Sequence, residues 1–366
     1  MSTISSPPTL YTEGVKSLSE AIMKPTYEHP ELTTYCTPVT GIQHDKQIVL
    51  LDSDMTGLMG RSKPDCDKTP ADVSFGNSTK LWSVKEYKDR IAECYSTLMT
   101  SFWKYSLKPG MTKEDLTATD WADYMAMRFP NELRKHHQQK AWFSDTAIVA
   151  GTNNSSGTGN EKFFNLNSGW WKQIFAIVTA SSARRTSEHA NWRTRNDATT
   201  FATQKFVTAD IAAQVVTSTL DQMYYDAEST LTADKSNLQY LVSRSVYMQL
   251  ERERKYLGNS ALELTYLRME NGVDAIKLNG IPVIPMETWD KNLRLYFGQD
   301  STNVATYLPH RAILIKKQNL LLGTEDEASM KAFDMFYDKV SGNNYIDWAT
   351  NLDFKVGVDD QIQVAY

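Results

Sequence analysis

Residues 40–105, TGIQHDKQIVLLDSDMTGLMGRSKPDCDKTPADVSFGNSTKLWSVKEYKDRIAECYSTLMTSFWKY, decide how the chain is built. Residues 42–51 rise to Ile48-Val49-Leu50-Leu51, and residues 71–82 alternate Val73, Phe75 and Leu81 with Ser74, Asn77 and Lys80. Both patterns predict strands. Residues 52–70 between them carry Gly57, Gly60, Pro64 and Pro70 among many charges, too polar to form a core and too long for an ordinary hairpin turn. The pair therefore reads as an extended ribbon that needs a neighbour to lie on. After it Tyr87, Ile91, Tyr95, Leu98, Phe102 and Tyr105 recur at intervals of four or three, with Lys85, Lys88, Asp89 and Glu93 facing elsewhere. That spacing predicts an amphipathic helix.

Upstream, residues 1–38 are polar, hold Pro7, Pro8, Pro25, Pro30 and Pro38, and contain one short helical candidate at 13–23, so they read as an arm. Downstream, Thr112 with Asp115 opens a helix through Arg128, and Pro130 suits the first turn of a continuation to Phe143, together a long bent helix. Residues 151–160, GTNNSSGTGN, are a flexible loop by composition. Thr208 can cap a helix bearing Ile211, Val215, Leu220 and Met223; Leu238 to Val242 is a short strand; Ser243 can cap a helix ending at Leu257. Asn279-Gly280 between two apolar runs predicts a hairpin, with Pro282 and Pro285 marking its second arm as an edge strand. Residues 311–315 and 320–322 are strand material, 328–337 is helix-like, and 354–364 reads as one closing strand. Helices mixed with antiparallel strands place the chain in the α+β class.

These segments, in this order, resemble the major capsid proteins of tailed bacteriophages. Within that group Thr40-Gly41-Ile42 opening a strand, Cys66 in the ribbon, Cys94 in the next helix, and Asn319-Leu320 before Gly323-Thr324-Glu325 are most similar to crAss-like and related Bacteroidetes phages, although Glu325 stands where relatives carry Asp. The resemblance implies the α+β Hong Kong 97-type fold: an N-terminal arm (1–39), an extended loop (40–83), a peripheral domain with the spine helix (84–207), an axial domain (208–349) and a C-terminal strand returning to the peripheral domain (350–366). It implies a structural protein, not an enzyme, that assembles with itself into hexamers and pentamers of an icosahedral shell around double-stranded DNA. Portal, scaffold and decoration proteins are further expected partners, with assembly in the host cytoplasm and residence in the virion. Ile48, Leu50, Lys63, Lys68, Val73, Phe75 and Lys80 are the expected inter-subunit contacts on the ribbon. No cofactor, metal or catalytic residue is expected.

Bulk properties agree. The 366 residues are enough for two or three domains. A mean hydropathy of -0.46 and the lack of a membrane-length apolar run describe a soluble protein, and the polar start shows no signal peptide. Three cysteines, Cys36, Cys66 and Cys94, without paired spacing, argue against a disulfide framework or zinc site. Net charge is uneven, -4 over 1–127, +6 over 128–205 and -7 over 206–366, which permits complementarity between copies or a basic face toward DNA.

Several motifs compete with this reading. Ile48 to Thr56 is an apolar strand followed by Asp52-x-Asp54-x-Thr56, the pattern of haloacid-dehalogenase-type phosphatases, in which the first Asp attacks phosphate and magnesium neutralises the site. A polar ribbon follows it where that fold needs a helix, so Asp52 and Asp54 read as turn-forming acids. A tail-tube or portal protein is the other alternative. His136-His137 read as solvated, Gly157-Thr158-Gly159 lacks the Lys of a phosphate loop, and Glu251 to Lys255 reads as a solvated or intersubunit charge run. Trp82, Trp170 and Trp171 read as core aromatics.

Overall fold

The computed structural model describes residues 2–3, 34–42, 47–54, 74–94, 120–148, 161–186, 190–257, 266–268, 274–297, 306–325, 334–338 and 343–366. The helical candidate at 13–23, the loop at 151–160, the helix opening at Thr112 and Cys66 lie outside them.

Two six-stranded sheets and one two-stranded ribbon organise the described residues. The first sheet runs β1 (Ser2–Thr3), β5 (Lys85–Cys94), β13 (Asn343–Val356), β11 (Leu320–Thr324) and β2 (Thr37–Val39), with β12 (Asp334–Asp338) on β13. Its backbone is β13. One edge of β13 pairs antiparallel with β5 from Asn343↔Cys94 to Leu352↔Lys85, and the other takes β12 on its first half and β11 on its second. The second sheet has the order β14 (Ile362–Ala365), β10 (Ala312–Lys316), β6 (Leu238–Ser243), β9 (Ile281–Met286), β8 (Asp274–Leu278) and β7 (Tyr266–Arg268). The ribbon is β3 (Gln47–Asp54) with β4 (Ser74–Leu81).

Several expectations are corrected here. The segment after the ribbon is a strand, β5, through Cys94, and residues 95–105 lie outside the described residues. Tyr87 and Ile91 are four apart, an interval that returns to one face of a strand as well as of a helix. Tyr87 is buried while Glu86, Lys88 and Arg90 are exposed, the alternation a strand produces. Residues 334–338 are likewise a strand, because β13 extends far enough past β11 to pair with them. The closing segment 354–364 is two strands in two sheets, β13 and β14, and position 349/350 falls inside β13. The Asn279-Gly280 turn forms with φ of 54° and 80°, yet its second arm β9 is internal, parallel to β6 and antiparallel to β8. Pro282 and Pro285 sit next to the two ends of β9, so each missing N–H falls where pairing begins or stops.

Helix α1 (Asp120–Phe143) is continuous, with Pro130 inside it instead of at a fresh start. The proline removes one i→i−4 bond, and the downstream half, where Leu133 and residues 137–144 are buried, holds the helix together. Its end meets α2 (Trp170–Ala180) and α5 (Glu287–Tyr296) in an aromatic core. Trp142 lies 4.8 Å from Trp170 and 4.6 Å from Trp289 between ring centroids, both edge-to-face, and Trp170 stacks edge-on to Phe354 at 5.7 Å. Trp82, Trp170 and Trp171 are buried, as expected. This core joins the two sheets: Phe354 and Val356 of β13 share it with Ile313, Ile315, Ile362 and Val364 of the second sheet. Ala312, Leu314, Tyr240, Val242 and Ala365 point the other way, into a second core with α3 (Val215–Asp226) and α4 (Arg244–Leu257).

The helix expected from Thr208 is broken: Thr208–Ala212 and α3 are separated at Gln214, which has φ 51°. The break exposes an α3 N-terminus, and Glu253, fully buried within the supposedly solvated charge run, fills it. Its carboxylate accepts from the backbone of Val216 (3.0 Å) and Thr217 (2.8 Å) and from the Thr217 hydroxyl (2.8 Å). Helix α4 is described through Leu257, and Asp290 caps its start, not Ser243, accepting from Arg244 N at 2.6 Å and Ser245 N at 3.2 Å. His137 is also buried, which pushes its pKa down to about 3; the solvated reading fails because α1 turns that face into the core.

Candidate assembly site

Among the described residues the ribbon pairs with neither large sheet, and neither of its outer edges, eight residues a side, has a described partner strand. At ~3.3 Å per residue it reaches about 26 Å. A lone two-stranded hairpin is marginal in water, so the ribbon depends on its root and on whatever it lies against.

The root is built on β11 and β13. Gly41, at φ 66°, turns the chain out of β2 and donates to Glu325 O at 3.0 Å, and Ile42 N follows onto Thr324 O at 3.4 Å. These two residues therefore form a turn, not the start of a strand. Ile42 and Trp82, from the two ends of the ribbon, both close on Gly323, where any Cβ would overlap them. The Gly-Thr-Glu segment thus serves as the seat of the ribbon. Ser83 N donates to the buried Asp353 carboxylate at 2.7 Å, and Lys80 Nζ donates to Val356 O at 2.8 Å and to Asp359 at 2.5 Å. Burial pushes the Asp353 pKa up against the pull of Lys355 and of its donors. Asn319 completes the base: its amide donates to Val358 O (2.8 Å) and Gln361 O (3.0 Å) and accepts from Val358 N (2.5 Å), fixing the passage from β13 to β14.

Of the expected contact residues, Ile48 is half-buried opposite Lys80, Leu50 lies opposite Ser78, and Phe75 opposite Ser53. Directly paired residues share a face. Ile48, Leu50 and Lys80 therefore fall on one face, while Phe75 falls on the other with Val49, Leu51 and Leu81, the last 49% exposed. Lys80 is tied to its own chain, and Lys63, Lys68 and Val73 lie outside the described residues. Sequence reasoning singled out Asn319 and Gly323 only as parts of a motif and missed Asp353. The Gly-Thr motif was visible, but what closes on it was not.

Asp52 and Asp54 lie within β3, opposite Gly76 and Ser74, and not in a turn. The phosphatase pattern needs its strand in a parallel sheet with a helix behind; among the described residues β3 has only an antiparallel ribbon partner, which disfavours that reading. Gly157-Thr158-Gly159 lies outside the described residues, and among those described no cluster of His, Cys, Asp and Glu can hold a metal ion. Cys36 is buried and its thiol pKa is pushed far up by burial. Cys94 is in a strand, not a helix. No helix among the described residues is long and apolar enough to cross a membrane. Much of the basic stretch 128–205 is neutralised internally, through Lys135–Glu132, Lys172–Asp145, Arg184–Glu228, Arg193–Asp197 and Arg195–Asp210.

No family model and no curated protein matches the chain. Solved structures do. The capsid structure of the cyanophage P-SCSP1u aligns over 96% of this chain and 92% of its own, at a TM-score of 0.55 and 12% identity. A chain of Microbacterium phage Oxtober96 covers 96% and 95%, at 0.53 and 9%. One from Gordonia phage Cozz covers 98% of each, at 0.50 and 12%. The fold is that of Hong Kong 97-type phage capsid proteins, α+β as expected.

Proposed function

We propose that this chain is a major capsid protein, assembling with itself into hexamers and pentamers of an icosahedral shell that encloses a phage double-stranded DNA genome. The observation that carries the reading is the end-to-end likeness of the chain to phage capsid subunits. A ribbon seated firmly at its root and outside both cores is what such assembly requires: it can be held by its own subunit and still cover the next. The work is structural and calls for no reaction, cofactor or metal. The virion is its place, and the host cytoplasm its site of assembly. Portal, scaffold and decoration proteins are its further partners, with non-specific contact to packaged DNA.

The ribbon residues Ile48, Leu50, Lys63, Lys68, Val73, Phe75 and Lys80 are proposed as the contact region, with the face of Phe75 and Leu81 as its more apolar side. The division into arm, extended loop, peripheral and axial domains follows the same reading, the first sheet with α1 being peripheral and the second axial. In that scheme β14 belongs with the axial sheet that it pairs with. Affinity to crAss-like phages rests on the short motifs around Gly41, Cys66, Cys94 and Asn319.

Negative-stain imaging of the overexpressed chain tests the assignment. Closed isometric shells are expected; six- or twelve-fold rings would make it a tube or portal protein instead. Magnesium-dependent hydrolysis of a phosphate ester, lost in the double variant Asp52→Asn, Asp54→Asn, would replace the assignment with an enzyme.

A further inference from the structure

Arg311 is 2% exposed and immediately precedes β10; among the described residues no carboxylate forms an ion pair with it, and Asp290, whose charge acts on it from a distance, is already committed to Arg244 N and Ser245 N. Its Nε donates to Leu308 O at 2.8 Å and an NH2 nitrogen to Tyr307 O at 3.1 Å. Leu308 holds φ 43°, a left-handed conformation unusual for leucine, to turn its carbonyl onto that guanidinium. The rest of the surroundings is aromatic: the guanidinium carbon lies 4.7 Å from the Trp171 ring centre, 5.4 Å from Phe175, 5.7 Å from Tyr307 and 5.9 Å from Phe143. Burial pushes its pKa down to about 9, which leaves it charged at neutral pH.

Arg311 and these four rings line a cavity of about 360 Å³, together with Ile148, Phe297, Ser144, Lys172 and Asp145. Among the described residues the indole N–H of Trp171, a residue of the same wall, has no acceptor, although the nitrogen itself is buried. The acid in the wall is already used: Asp145 accepts from Lys172 Nζ at 3.0 Å and from Ala147 N at 2.8 Å. A buried cation with no carboxylate in direct contact is costly, and a planar guanidinium matches a carboxylate with two parallel bonds. The volume falls within the range of ligand pockets.

We infer that the Arg311 cavity is a binding site for a carboxylate carried on an apolar body. The carboxylate meets the guanidinium, and the aromatic walls take the rest. The group comes either as a free organic acid or as an acidic side chain of a second copy of this chain.

Calorimetric titration of unassembled wild-type subunits with phenylacetate and with its neutral isostere phenylacetamide tests the site. Saturable one-site binding of phenylacetate is expected, at least tenfold tighter than the amide. Equal binding of the two, or no saturable binding of phenylacetate, overturns the inference. In Arg311→Met the preference for the acid should vanish, and a variant that keeps it overturns the inference as well. Should that variant fail to fold, the acid–amide comparison on wild type decides alone. Assembled shells separate the sources, since shells that refuse the probe point to a neighbour's side chain and shells that bind it like free subunits point to a free acid. Only this last arm rests on the shell reading, so its failure is distinguishable from failure of the site.

Discussion

Strands β10 and β3 are both apolar runs, Ala312-Ile313-Leu314-Ile315 and Ile48-Val49-Leu50-Leu51, and they do opposite work. β10 is flanked by β14 and β6, and its side chains alternate between two cores, Ile313 and Ile315 into one and Ala312 and Leu314 into the other. Among the described residues β3 has one partner, and at the root of its ribbon Trp82 and Ile42 close on Gly323. Apolar strand sequence thus serves two ends: where both faces and edges are matched within the subunit it stabilises the fold, and where no described partner matches them it is the part proposed to meet a neighbour.

The comparison is sharpened most by cutting beside β10. Removing residues 359–366 deletes β14, its ladder with Ala312 to Ile315, and the buried Ile362 and Val364. The product should be insoluble or lack a cooperative thermal transition; a soluble truncation with the wild-type melt would show that the second sheet does not need its edge. Next in size, Trp142→Ala empties the centre of the aromatic core and should cost about 3–5 kcal/mol by denaturant titration. A loss under ~1 kcal/mol would mean that the two sheets are not joined there.

Acid should act on the cores and spare the ribbon. His310 is buried, its Nε2 facing Gln204 O at 2.6 Å and its Nδ1 facing the Ser245 hydroxyl at 2.9 Å. Since a carbonyl can only accept, Nε2 carries the proton and Nδ1 accepts. Burial lowers its pKa to about 4, and that of His137 to about 3. A histidine with a depressed folded pKa binds protons more readily when unfolded, so its contribution is whole above about pH 6.5 and lost as pH falls toward the folded value. Unfolding free energy should decline by about 1.4 kcal/mol per pH unit for each histidine between pH 6.5 and about 4. Replacing His310 with Gln should flatten that slope, and an unchanged slope would contradict its burial as a neutral ring. Smallest of all, Lys80→Ala removes a half-exposed pair with Asp359 and should shift stability by under ~1 kcal/mol.

The sequence disclosed what local chemistry determines and concealed what distant partners determine. Asn279-Gly280 announced its turn because positive φ at both positions is a local demand. The ribbon announced itself through the polarity between its strands. Tyr87 and Ile91 misled because an interval of four suits a strand and a helix alike, and the deciding partner, β13, lies some 250 residues away in sequence, Tyr87 pairing with Thr350. Glu253 read as part of a solvated or intersubunit charge run and Asp290 carried no signal, since nothing beside them in sequence reveals the helix ends they fill. Gly323 read as part of a motif, but only Trp82 and Ile42 closing on it give the reason.

The division of labour between cores and ribbon is tested most directly by replacing residues 55–73 with a short Gly-Ser turn and comparing the variant with wild type by melting and by negative-stain imaging. The predicted result is a cooperative melt within about 0.5 kcal/mol of wild type, as for a polar, turn-rich stretch, together with loss of closed shells. Normal shells from the shortened chain, or a subunit that no longer folds, would contradict it.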